Sequence, residues 1–181
     1  RQRKTPGHIP GYDGPAPTHR TLGMSVASVK AHFEALNLDI PILETAENTA
    51  TVVLAAAAHG VEPGRIAKTL AFELHDKRVV LLVARGDARI DNAKFKTALG
   101  KGKMLSPDVV ADITGHPVGG VCPFGLAQAL PIYLDASLQA FDEVLPAAGS
   151  VNSAVRVSVT LLAHITQGQW VDVCRPPTDA G

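Results

Sequence analysis

The chain has 181 residues, 46% hydrophobic and 19% charged, with 17 basic residues balanced by 17 acidic ones. That length favours one domain with a real core, and the charge balance excludes a protein that grips a long duplex through many phosphates, though not one that touches a single RNA end. No stretch approaches the roughly 20 apolar residues of a membrane span, the N-terminal stretch lacks the apolar core of a secretory signal, and Cys122 and Cys174 are too few for a disulfide scaffold. A cytoplasmic chain with reduced thiols is expected, with no DNA and no membrane partner.

Residues 1–23 contain four prolines, four glycines and no apolar period. They read as a tail or expression remnant ahead of a natural start at Met24, leaving 24–181 as a single domain. Ser25 is placed to cap a helix carrying Val26, Val29, Phe33 and Leu36 at helical spacing. "IPILE" (40–44) reads as a short strand, and "NTATVVLAAAAHG" as a helix capped by Asn48 or Thr49 and stopped by Gly60. Residues 64–91 read as a β-hairpin turning at His75-Asp76-Lys77. Two helices follow, one from an Asp91 cap to Gly100 and one over "SPDVVADITG" with Pro107 in its first turn. Further on come a strand near 131–135, a short helix near 137–145, a strand around Val155–Ser158, a helix from about 160, and a last strand, "QWVDVC". The interspersed elements predict an α+β fold with a mixed, mainly antiparallel sheet or partly open barrel surrounded by helices.

Two stretches carry chemistry. In "RIAKTLAFEL" alternation puts Lys68 in one row with Ile66, Leu70, Phe72 and Leu74, and puts Ala67, Thr69, Ala71 and Glu73 in the other. A charge in an apolar row is costly unless paired or led to a cleft. Either the row is the outward face of an edge strand, or the lysine snorkels to the surface, or Lys68 stands at a pocket mouth to meet a carbonyl, carboxylate or phosphate. The second stretch, "TGHPVGGVCPFG" (114–125), is a turn, a backbone-lined acyl pocket, or the seat of a cysteine nucleophile. Its glycines would let a ligand approach bare N–H groups. Cys122, six residues after His116, is the thiol alternative. His116, Cys122 and Cys174 lack paired metal-ligand spacing, so no metal and no cofactor is expected. His32 and His59 read as surface and capping residues.

Taken in order, "GVEPGRIAKTLAFEL", "DITGHPVGGVCPFG" and "AAGSVNSAVRVSV" resemble the YbaK/ProX family of aminoacyl-tRNA deacylases, related to the editing domain inserted in bacterial prolyl-tRNA synthetases. The resemblance covers roughly residues 25–175. It implies a YbaK-like fold and hydrolysis of the ester joining a wrong, small amino acid to tRNA, by an enzyme acting in trans. It also implies the essential lysine at Lys68 and a substrate-binding loop over Gly119, Gly120, Val121, Cys122 and Pro123, with His116 beside it and Gly149 and Ser150 on the pocket's far side. The partner implied is the acceptor end of mischarged aminoacyl-tRNA, with an aminoacyl-tRNA synthetase as a second candidate. A non-catalytic tRNA- or synthetase-binding module and a Cys122-dependent thiol hydrolase are the rival readings.

Overall fold

The computed structural model describes residues 22–177. Its spine is a hairpin of β2 (Ile66–Leu74) and β3 (Val79–Arg85), paired antiparallel from Ala67↔Arg85 to Glu73↔Val79. Lys77, at a positive φ of 71°, closes the turn by donating its N–H to the Leu74 carbonyl. β3 reads as an unbroken apolar run because both of its faces are covered. Val83 belongs to the core under α1 (Leu22–Ala35) and α5 (Val159–Thr166), while Val80, Leu82 and Ala84 pack with Phe95 of α3 (Asn92–Leu99).

Around this spine the sheet is mixed. β3 pairs parallel with β6 (Ile132–Asp135), which pairs parallel with β10 (Gln169–Val171). β2 pairs parallel with β7 (Glu143–Pro146) at its start and antiparallel with β5 (Gly102–Met104) at its end, and β7 carries β9 (Val157–Ser158). Two small antiparallel pairs lie apart: β1 (Leu43–Glu44) on β8 (Ser153–Ala154), and β4 (Arg89–Ile90) on β11 (Cys174–Arg175). The expected α+β class holds, with α2 (Val52–His59) and α4 (Pro107–Thr114) completing the helices. No helix among the described residues is long and apolar enough to cross a membrane.

Several boundaries differ from expectation. α1 starts at Leu22, so the tail boundary expected after Gly23 falls inside a helix; residues 1–21 lie outside the described residues. Ser25 is therefore no cap but a buried helical residue whose hydroxyl meets His116. Thr51, not Asn48 or Thr49, caps α2 by accepting the Leu54 N–H, and Gly60 ends that helix as expected. The expected helix near 137–145 is a 3₁₀ turn over Ala136–Ala140 followed by β7, because Val144 and Leu145 are drawn into the core against β2. "QWVDVC" splits into β10 and β11 where the Val173 N–H turns to the Asp135 carboxylate at 2.8 Å. β5 was invisible in sequence, since Gly-Lys-Met has no alternation and stays exposed.

Candidate active site

One face of β2 carries only small side chains before Glu73, and a cavity of about 260 Å³ opens over it. Ala67, Thr69 and Ala71 form its floor, Thr51 and Ala55 of α2 one wall, and Pro107 and Val110 of α4 another. Gly119 and Val121 close it from the glycine loop, with Ala147 and Ser153 beside them. This volume lies just under the range typical of drug-sized ligand pockets, which suits a small acyl group.

Lys68 lies at the cavity's edge and is, among the described residues, its only ionisable lining side chain. Beyond it the row turns away from the floor, Phe72 and Leu74 packing with Ala84, Ala88 and Cys174, while Ile66 before it packs against Ala55 and Leu145 beside the cavity. The lysine Nζ donates to the Ala88 carbonyl. Burial pushes the ammonium below its ordinary pKa; Cys174 and Asp87 pull it back up, and Arg89 lowers it further. Asp87 is itself clamped by the Arg85 guanidinium, at 2.5 and 3.0 Å. The side chain is thus pinned by the loop after β3 rather than left to snorkel.

The glycine loop divides into a lining part and a bracing part. Gly119, at φ 85°, approaches the segment leading into α2 so closely that an added Cβ would sit 2.6 Å from that of Ala50. Gly120 faces backward: an added Cβ would stand 2.6 Å from the Ser150 nitrogen, and its carbonyl accepts the Gly149 N–H at 3.0 Å. Its own N–H returns to Pro117. Among the described residues, the amides of Gly119 and Val121 remain uncommitted within the loop. Ser150 is occupied, its hydroxyl bonding Asn152 and Ser153 at 2.9 and 2.7 Å and its N–H donating to Ser153.

Cys122, Pro123 and His116 lie behind the loop and line no part of the cavity. The His116 Nε2 donates to the Phe124 carbonyl at 2.6 Å, since a carbonyl only accepts; its Nδ1 then accepts from the Ser25 hydroxyl at 2.5 Å. Cys122 Sγ sits 3.5 Å from Nε2, a nitrogen that already carries a proton, and burial pushes the thiol up to about 12. A thiolate–imidazole pair needs the reverse on both counts.

Of the residues expected from sequence, the fold gathers Lys68, Gly119 and Val121 at the cavity and stacks Gly120 on Gly149 and Ser150 behind it. Sequence reasoning passed over Thr51, Thr69, Pro107, Val110 and Ser153. The small row Ala67-Thr69-Ala71 was the available signal, because a strand face without bulk cannot fill a core by itself.

A cavity floored by small side chains, with bare loop amides and one lysine, suits an ester-editing domain, and the chain matches the aminoacyl-tRNA editing domain over residues 46–165. It belongs to that family and is an aminoacyl-tRNA deacylase, as the resemblance implied. The uncharacterized protein YwhH of Bacillus subtilis is 46% identical over 84% of this chain and 98% of its own. The "Putative Cys-tRNA(Pro)/Cys-tRNA(Cys) deacylase EbsC" of Enterococcus faecalis is 28% identical over 65% of this chain and 73% of its own. A solved structure described as a "putative trans-editing enzyme for prolyl tRNA synthetase" superposes with a TM-score of 0.77 at 30% identity, covering 84% of this chain and 98% of that one. The proline–tRNA ligase of a Geobacter strain, 32% identical over 65% of this chain, is matched over only 21% of its own length.

Proposed function

We propose that the chain works in trans, in the cytoplasm, on tRNA mischarged with a small amino acid, and that Lys68 is its essential side chain. The observation that carries this reading is the cavity wall, on which Lys68 is the only ionisable group among the described residues. No carboxylate, imidazole or thiol of those residues is there to act as base or nucleophile, so the chemistry rests on positioning and on backbone electrostatics. Water adds to the ester carbonyl, the Gly119 and Val121 amides take up the developing negative charge, and Lys68 anchors the carbonyl or an adjacent phosphate. The acyl–oxygen bond then breaks, and the proton lost by water ends on the ribose oxygen, passed through the neighbouring ribose hydroxyl. Bulky acyl groups are rejected because α2, β2 and the loop leave no room for them.

The test is deacylation of alanyl-, seryl- and phenylalanyl-tRNA by the wild type and by Lys68→Met. The wild type should hydrolyse the two small esters and spare the large one. The variant should lose at least about 100-fold in rate. It should keep its Tm within about 4 °C, since an unbranched apolar chain replaces a charge that burial disfavours. Wild-type turnover by Lys68→Met would remove the lysine from the mechanism, and stable binding without turnover by the wild type would make the chain a binding module.

A further inference from the structure

On the cavity face of β2, one step past Ala71, stands Glu73, and two lysines converge on it. Lys77 Nζ lies 3.6 Å and Lys103 Nζ 4.0 Å from the same Glu73 oxygen. Lys103 is the register partner of Glu73 on β5, and Lys77 reaches back from the hairpin turn. Among the described residues no other carboxylate faces two cations: Glu62, Asp76, Asp87, Asp142 and Asp172 each meet one. Two ammonium groups on one carboxylate leave a local surplus of one positive charge at this end of β2.

Stability does not account for the cluster. The lysine side chains are 83% and 76% exposed, and exposed pairs of this kind contribute little. The second ammonium also has no carboxylate of its own and is repelled by the first. An anion arriving between them would relieve that repulsion, and Glu73, only 18% exposed, holds both stems in place for it.

We propose that Lys77 and Lys103 form a phosphate clasp for the single-stranded RNA arm leading to the ester. This deepens the deacylase reading and rests on it. Four residues of strand separate Thr69, on the cavity floor, from Glu73, a run of about 13 Å at roughly 3.3 Å per residue. An RNA strand leaving the cavity along β2 would meet the clasp within a few nucleotides of the ester. Ammonium groups at this spacing take RNA by charge and not by base, so the clasp adds reach without sequence preference.

The experiment compares alanyl-tRNA with the alanyl ester of adenosine, which carries the reacting bond but no upstream phosphate. In Lys77→Ala/Lys103→Ala, kcat/KM on alanyl-tRNA should fall about tenfold while the adenosine ester is hydrolysed as by the wild type. The slope of log kcat/KM against log salt should flatten by about 0.7 for each phosphate that is no longer neutralised. Glu73→Gln, which removes the carboxylate that gathers the two ammonium groups, should lower kcat/KM on alanyl-tRNA and leave the adenosine ester unaffected. An unchanged salt slope in the double variant, or an equal drop on both substrates, overturns the clasp. Failure of the wild type to hydrolyse either ester overturns the deacylase reading instead.

Discussion

At the scale of single residues, Cys122 and His116 look like a catalytic pair in sequence and act as packing in the fold. The six-residue spacing does bring sulfur and ring together, at 3.5 Å. The contact nonetheless lies in a core with Val29, Phe33 and Phe124, where a thiolate has no solvation and the imidazole is held between Ser25 and Phe124. Burial pushes the thiol up to about 12, which leaves almost no thiolate at neutral pH. Cys122 in the native protein should accordingly resist iodoacetamide at pH 8 and react only on unfolding. Cys122→Ser should keep deacylation within about tenfold and cost about 1–2 kcal/mol of stability, as a hydroxyl replaces a buried thiol. Fast native labelling at Cys122, or a trapped acyl-enzyme at that position, would restore the thiol hydrolase.

At the scale of elements, strand alternation was legible and its meaning was not. Alternation separates Phe72 and Leu74 from the row of Ala67, Thr69 and Ala71 as expected, but Ile66, expected in the same row as Lys68, packs instead with Ala55 and Leu145 at the cavity. Which row meets the cavity depends on what covers each side. Phe95 of α3 and Val173 cover the first, while the glycine loop and α4 stand off from the second. The same holds for the two glycines at 119 and 120: one lines the cavity, and the other touches the Gly149-Ser150 backbone. Gly120→Val should therefore act by forcing two loops apart rather than by filling the acyl space. An ideal Cβ there stands 2.6 Å from the Ser150 nitrogen and 2.8 Å from the Gly149 carbonyl carbon, neither of which can yield as a flexible side chain would. We expect a loss of about 1–3 kcal/mol in urea unfolding together with reduced turnover. Normal stability with blocked activity would return Gly120 to the cavity wall.

At the scale of the whole molecule, α1 acts as a rear buttress for both loops. Ser25 packs closely on Gly149 and bonds His116, and His32 Nδ1 accepts the Gly125 N–H at 3.0 Å. Helical spacing on α1 brings these polar residues to the same partner that Val29 and Phe33 pack against. His32 can accept that bond only while neutral, and burial holds its pKa below the ordinary 6.5. His59 is lowered in the same direction, by burial and then by Arg156. The unfolded chain thus takes up protons as pH falls through 6.5 while the folded chain does not. This stability is complete above 6.5 and is lost as pH drops toward the folded-state values. Urea unfolding at pH 7.5 and 5.5 should show the decline. His32→Gln, which can still accept from Gly125 but does not titrate in this range, should flatten it with little change at pH 7.5. Equal slopes in the two proteins would show that His32 is not one of the titrating groups.

What the sequence determined by itself is local. The hairpin and its turn, the Asp91 and Gly100 limits of α3, Pro107 opening α4, Gly60 closing α2, and the anomaly of a lysine in an apolar row all follow from neighbours within a few residues. The motifs around Lys68 and the glycine loop also carried the family. What only the tertiary structure decided is which of the marked residues share a space. The parallel pairing of β2 with β7 turned 143–146 into a strand and brought Ala147 to the cavity, and the approach of 149–150 to Gly120 removed that glycine from the wall. Such contacts join segments tens of residues apart and are fixed by close packing of many side chains at once, which no local pattern encodes.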